Sequence, residues 1–251
     1  MNRCSQVSWW LRNSRFRVRQ FTARRPWMFF SLYQLSPTNR KLMVNRGTRI
    51  TIEGFPRSAN TYAVYAFQHV NELPWPQIGH HLHVQAQVIR SVNYGIPVIL
   101  LVRHPRDAVR SLLVRHDFIP LRDALQDYCR FYDDLYCLRD GFVVAPFAEA
   151  TERIGQVIEK VNRRFSTGFT VFPDASADAQ AAVFAAIDQR NMSQDGGQVS
   201  HLYRPDSSKE AMKDTVSIDE NDADYMHALG IYEKYLALAR EQDRQLLQDR
   251  R

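Results

Sequence analysis

Apolar positions change their spacing several times along this chain, and each change marks an element. Residues 49–53 alternate polar and apolar and stop at Gly54, the pattern of a strand. Residues 60–71 place Tyr62, Tyr65, Ala66 and Val70 at helical spacing, and Pro74 and Pro76 then break the chain. A helix is predicted over 84–93, closed by Gly95. The unbroken apolar run 97–102 predicts a central parallel strand covered on both faces. Pro105 opens a helix to about His116 from its first position. A long helix over 121–138 carries Leu121, Leu125, Tyr128, Tyr132 and Leu135 on one face. A third strand is expected at 141–145, a helix at 152–165, and another at the centre of the Ala-, Asp- and Gln-rich stretch 174–197. Residues 199–213 read as polar loop and 221–248 as a C-terminal helix with Tyr225, Leu229, Tyr232, Leu236 and Leu238 inward. Strands alternating with helices predict an α/β fold with a parallel sheet.

Charge divides the chain in two. Residues 1–50 hold ten Arg, one Lys and no acidic residue, so of the net +6 they carry +11, which leaves −5 for the remaining 201. The basic pI therefore describes an arm, and nucleic acid is not expected as a partner on that ground. Residues 1–46 form this arm and 47–251 the α/β domain. Arginine is interleaved there with Trp9, Trp10, Phe16, Phe21, Trp27, Phe29, Phe30 and Tyr33. Three readings stand side by side: a segment lying on an acidic membrane or partner, a targeting peptide, or an arm that packs its aromatics on the domain and solvates its arginines. Three cysteines, Cys4, Cys129 and Cys137, show no metal spacing and suit a reducing compartment. No apolar run has the length of a bilayer span. The location expected is cytoplasmic, with peripheral membrane contact through the arm.

Two segments carry candidate chemistry. The first is Gly54-Phe55-Pro56-Arg57-Ser58-Ala59-Asn60-Thr61-Tyr62, between a predicted strand and a predicted helix. A helix N-terminus offers free N–H groups and partial positive charge to an anion. Ser58 and Ala59 let the backbone come close, Ser58, Asn60 and Thr61 add donors, and Arg57 adds a fixed cation. The plain structural alternative is a strand–turn–helix in which Ser58 or Asn60 merely caps the helix. Neither Gly-x-x-x-x-Gly-Lys-Ser/Thr nor Gly-x-Gly-x-x-Gly is present. The second segment, Arg103-His104-Pro105-Arg106-Asp107-Ala108-Val109-Arg110-Ser111, leaves the carboxyl end of the buried strand, where open α/β sheets bind ligands. Its plain alternative is a surface helix with solvated arginines.

Together the segments resemble the sulfotransferases that use 3′-phosphoadenosine 5′-phosphosulfate (PAPS). Pro56 to Tyr62 is similar to their 5′-phosphosulfate loop, Pro-Lys-Ser-Gly-Thr-Thr-Trp, and closer to the bacterial form Pro-Arg-Ser-Gly-Asn-Thr-Trp. Arg103 to Ser111 matches their 3′-phosphate motif, Arg-x-Pro-x-Asp-x-x-x-Ser, at every fixed position. Residues 142–149 resemble the family's third strand and its following acidic residue, and the resemblance covers residues 48–165. It implies a single three-layer, P-loop-NTPase-like domain and a transfer of sulfuryl to a hydroxyl or amine acceptor without a metal. The acceptor class is a small molecule, glycan or lipid. The resemblance assigns Pro56, Arg57, Ser58, Ala59, Asn60, Thr61, Tyr62, Arg103 and Ser111 to the cofactor. Arg204 and Lys209 are the nearest basic counterparts of the family's later Arg-Lys-Gly-x-x-Gly segment. Ala59 stands where the family has glycine, so a positive φ there would cost about 1 kcal/mol or more. Arg57 stands where cytosolic members have lysine.

A base must take the acceptor proton, and histidine suits that role near neutral pH. His80-His81-Leu82-His83 lies upstream of Arg103, as does the Lys-Thr-His-Leu-Pro segment of the cytosolic members. His81, followed by Leu82, fits best and His83 second, while an extended segment would turn His80 to the opposite side. Surface histidines and a metal site are the competing readings, the latter without a second ligand cluster. His69 and His116 are expected to be structural. Two alternatives to the transferase remain open on the residues: a small-molecule kinase with a variant phosphate loop, and a catalytically degenerate member that binds a polyanion.

Overall fold

The computed structural model describes residues 3–195 and 214–248. Four strands, β1 (Ile50–Gly54), β2 (Ile78–His80), β3 (Val98–Val102) and β4 (Val143–Pro146), form one sheet in the order β2-β1-β3-β4. All pairings are parallel: Ile50 lies beside Ile78, Thr51 beside Val98, and Ile99 beside Val143. The chain is thus α/β with a parallel sheet, as the alternation of elements predicts. β3 is an inner strand, and its five residues are all fully buried.

Side-chain alternation along β3 feeds two cores. Val98, Leu100 and Val102 face one cluster, built with α6 (Pro105–Arg115), α7 (Leu121–Tyr136) and the C-terminal α11 (Ala223–Gln248). Ile99 and Leu101 face the other, with α4 (Asn60–Asn71), α9 (Ile154–Phe165) and α10 (Ala177–Asp195). The helices therefore cover both faces, as a parallel sheet requires.

Several bounds differ from the sequence expectation. β2 is not among the expected strands, because three residues are too short to show a period. The helix expected over 152–165 is α9, which begins two residues later, and a short helix not expected, α8 (Phe147–Glu152), precedes it, the two parted at Arg153 with φ −140°. Gly155 then lies so close to the Phe172 carbonyl that a Cβ would sit 2.1 Å from it, and its N–H donates to Asp174 Oδ1 at 2.8 Å. Glu149, the acidic residue after β4, receives Lys160 Nζ at 2.7 Å.

Residues 3–46 are largely helical: α1 (Arg3–Ala23), α2 (Pro26–Tyr33) and α3 (Pro37–Arg40). Phe29 and Phe30 are buried in a third cluster with Met43, Val44, Leu82, Val84, Ala86 and Ile96. Burying one such ring contributes roughly 1.5–3 kcal/mol. Trp27 and Phe21 remain exposed. The arm thus packs beside α5 (Gln85–Asn93) and against the segment that carries the histidines. No helix among the described residues is long and apolar enough to cross a membrane.

Candidate functional site

The site gathers at the carboxyl ends of β1 and β3. Gly54 ends β1 in a position where any Cβ would lie 2.5 Å from the Leu101 carbonyl oxygen, so only glycine lets the two strands close there. Tyr132 of α7 then fixes the exit. Its hydroxyl donates to Leu101 O at 2.8 Å and accepts from Phe55 N–H at 3.3 Å. The Ser58 hydroxyl, fully buried, also lies against this phenol. One turn earlier on α7, Tyr128 donates to Arg103 O at 2.8 Å. Two phenols four residues apart thereby hold both loop origins.

The loop bends through left-handed backbone at Arg57 (φ 72°) and Ala59 (φ 71°) before α4 begins. Ala59 is the N-cap of α4 and makes no side-chain hydrogen bond to its first turn. The cap by Ser58 or Asn60, the plain structural alternative for this segment, is not made. Asn60 instead turns its amide nitrogen toward Ile52 O at 3.5 Å. The uncapped first turn leaves backbone N–H groups at a positive helix end, a fit for a phosphate-type anion. Arg103 Nη1 donates to the Arg57 carbonyl at 2.9 Å, and Arg57 Nε donates to Ser111 Oγ at 2.8 Å. The two motifs, 54 residues apart at Arg57 and Ser111, therefore touch through named atoms. The Arg103 guanidinium also lies 4.1 Å over the Phe147 ring. Pro56 is half-buried in the bend, and Tyr62 packs on Phe184 of α10 with ring centres 5.5 Å apart. Arg106 and Arg110 turn away: the first pairs with Glu220, the second donates to Val216 O at 2.8 Å. Arg204 and Lys209 lie outside the described residues.

The histidines meet this loop from β2. Thr61 Oγ1 is 3.0 Å from His81 Nε2, and His81 Nδ1 is 2.7 Å from His80 Nδ1. Both ring nitrogens of His81 are thus engaged. His83 differs: its Nδ1 is 2.9 Å from the Gly54 carbonyl oxygen. A carbonyl only accepts, so Nδ1 carries the proton and Nε2 presents its lone pair. The segment is not extended. His81 (φ 57°) and His83 (φ 49°) are left-handed, and this gathers all three rings, with centres 4.8 Å and 6.0 Å apart in sequence order. The expectation that His80 faces away rested on an extended chain and does not hold. His69 stands apart, its ring near Phe172, and His116 near Phe118. Among the described residues no group of three or more His, Cys, Asp or Glu side chains is arranged to hold a metal ion.

Glu53 holds this bend, and the sequence reading gave it no role. Fully buried at the end of β1, it accepts the Leu82 N–H at 2.7 Å and the His83 N–H at 3.0 Å on its two oxygens. Oε2 is also 3.7 Å from His83 Nδ1. Burial lifts its pKa to about 7, against the pull of the amides of Leu82, His83 and Gly54 and the charge of Arg19. Arg19 of α1 closes the far side by donating to the Leu82 carbonyl. Burial is likewise the leading cause that lowers the histidines. His80 falls to about 4, helped by the charges of Arg190 and His83. His83 falls to about 4, although its Gly54 bond opposes the shift. His81 falls well below its ordinary value. All three are neutral at pH 7, the state in which a ring nitrogen can accept a proton.

No family model matches the chain, and no curated protein matches it.

Proposed function

We propose that this chain is a PAPS-dependent sulfotransferase with a P-loop-like domain. The Arg57–Ser111 hydrogen bond carries this reading. It joins the phosphosulfate-type loop to the 3′-phosphate-type motif at one sheet edge, around an uncapped helix end. When bound, the nucleotide would supply the sulfuryl group, and adenosine 3′,5′-bisphosphate would leave with the bridging oxygen and the electron pair of the broken S–O bond.

The residues of the chain have separable tasks. First-turn amides of α4, with Thr61, bind the 5′-phosphate end. Arg57 places a permanent cation where negative charge grows on the leaving oxygen, which stabilises the transition state more than the ground state. Arginine does this without giving up a proton. Arg103 and Ser111 bind the 3′-phosphate. His83 takes the acceptor proton on Nε2, since the Gly54 carbonyl accepts from Nδ1, fixes the tautomer and favours the cation that forms. His81 holds Thr61 in place through Nε2.

Transfer of label from ³⁵S-labelled cofactor to a panel of hydroxyl and amine acceptors tests this assignment. The His83→Ala variant is expected to lose roughly 10²–10⁴ in turnover with bisphosphate affinity unchanged. His81→Ala is expected to lose less turnover and to weaken the nucleotide through Thr61. Retained turnover in His83→Ala together with its loss in His81→Ala would move the base to His81. A chain that binds only magnesium and ATP would instead be a kinase.

A further inference from the structure

Helix α1 is turned inside out relative to an ordinary surface helix. Asn13, Phe16 and Gln20 recur at spacings of three and four, so they share a face, and that face meets the domain. The contacts there are mostly polar and ionic. Arg24 Nε is 2.7 Å from Asp134 Oδ2, Arg17 Nη2 is 3.0 Å from Asp123 Oδ2, and Arg130 Nη2 donates to Gln20 Oε1 at 3.0 Å. Leu11 and Val18, two turns apart, and Phe21, three residues further, lie on the outer side and are exposed. Phe21 shows 58 % of its surface, and Trp27 at the start of α2 shows 70 %. Around them stand the exposed Arg15 and Arg25, the latter stacked on Phe21 with its guanidinium carbon 4.4 Å from the ring centre. Residues 1–50 contain no carboxylate that could neutralise this face.

We propose that the outer face of α1, continued by Trp27, docks on an anionic lipid surface. Charge complementarity selects the occupant: an excess of arginine without any acid attracts anionic headgroups. The outward apolar stripe selects lipid over a nucleic acid, because aliphatic and aromatic side chains gain by entering the acyl boundary and gain little along a phosphate backbone. A helix lying flat in the interface presents this pattern of apolar residues flanked by arginines. Arg17 of α1 and Arg24 just after it, both solvent-exposed, pair with α7 carboxylates and tie the helix to the domain while its outer side engages the membrane.

Flotation of the full chain with vesicles tests the proposal. Binding is expected on phosphatidylcholine containing phosphatidylglycerol and is expected to fall when salt rises from 0.1 to about 0.5 M. Val18→Glu combined with Phe21→Glu should lower partitioning by at least about tenfold with unchanged circular dichroism. Arg15→Ala should lower it by on the order of fivefold, without altering the apolar stripe. Equal binding to pure phosphatidylcholine, no binding at all, or unchanged binding of both variants would overturn the proposal. A dimer in sedimentation velocity that Val18→Glu/Phe21→Glu abolishes would assign the face to a second copy and overturn it too.

Discussion

Six described non-glycine residues hold positive φ, and four of them, Arg57, Ala59, His81 and His83, stand at the candidate site. The other two, Glu72 and Ser166, end helices α4 and α9, where a left-handed cap is ordinary. The site residues therefore carry strain that the surrounding contacts must outweigh. Glu53, Tyr132 and Arg103 supply such contacts, each with a bond to the strained backbone or its edge. Ala59 shows the strain most directly. At φ 71° its Cβ opposes the left-handed bend, and a glycine would not. Ala59→Gly is expected to stabilise the protein by about 1 kcal/mol in urea unfolding, with nucleotide affinity kept. A variant of equal or lower stability would contradict the left-handed loop.

At the scale of elements, α7 is the support on which both motifs rest. Tyr128 and Tyr132 reach the exits of β3 and β1, and Tyr235 of α11 donates to the Tyr132 carbonyl at 2.7 Å. Tyr132→Phe keeps the ring but removes two hydrogen bonds. Its expected cost is roughly 1–3 kcal/mol of stability, seen as a lower urea midpoint, together with weaker nucleotide binding. Unchanged values for both would show that α7 does not support the loop. The sequence showed α7 as a helix because its apolar period runs over four turns, and the tyrosines were legible only as core. Their hydroxyl partners lie 25 to 77 residues away, which no local pattern encodes. β2 was illegible for a different reason: its three residues are recruited by pairing with β1, not by their own period. The motif residues Arg57, Arg103 and Ser111 were legible individually. The left-handed turns that gather His80, His81 and His83 were not, because histidine has no strong preference for that region and Glu53, far upstream, enforces it.

Over the whole molecule, the buried titratable groups at the site tie stability to pH. His80 has a folded pKa of about 4 against an ordinary 6.5, so the unfolded chain binds more protons between those values. Its contribution falls as pH drops through that window, by roughly 3 kcal/mol at the acid end. Glu53 acts oppositely, since its folded pKa of about 7 makes the folded state the stronger proton binder from pH 7 down to 4.5. Comparing wild type with His80→Gln isolates the first effect. Between pH 7 and 4 the wild type should lose about 3 kcal/mol relative to the variant, measured by urea unfolding. Parallel curves would show that His80 is not held neutral by burial. The two motifs act as one nucleotide site, as proposed above, if calorimetric titration with adenosine 3′,5′-bisphosphate and with adenosine 5′-monophosphate separates the two ligands. Wild type is expected to bind the bisphosphate more tightly, and Arg103→Ala to cost roughly 1.5–3 kcal/mol on the bisphosphate and distinctly less on the monophosphate, the smaller loss coming from its bond to the Arg57 carbonyl. Equal weakening of both ligands by Arg103→Ala, or no preference for the bisphosphate in the wild type, would contradict it.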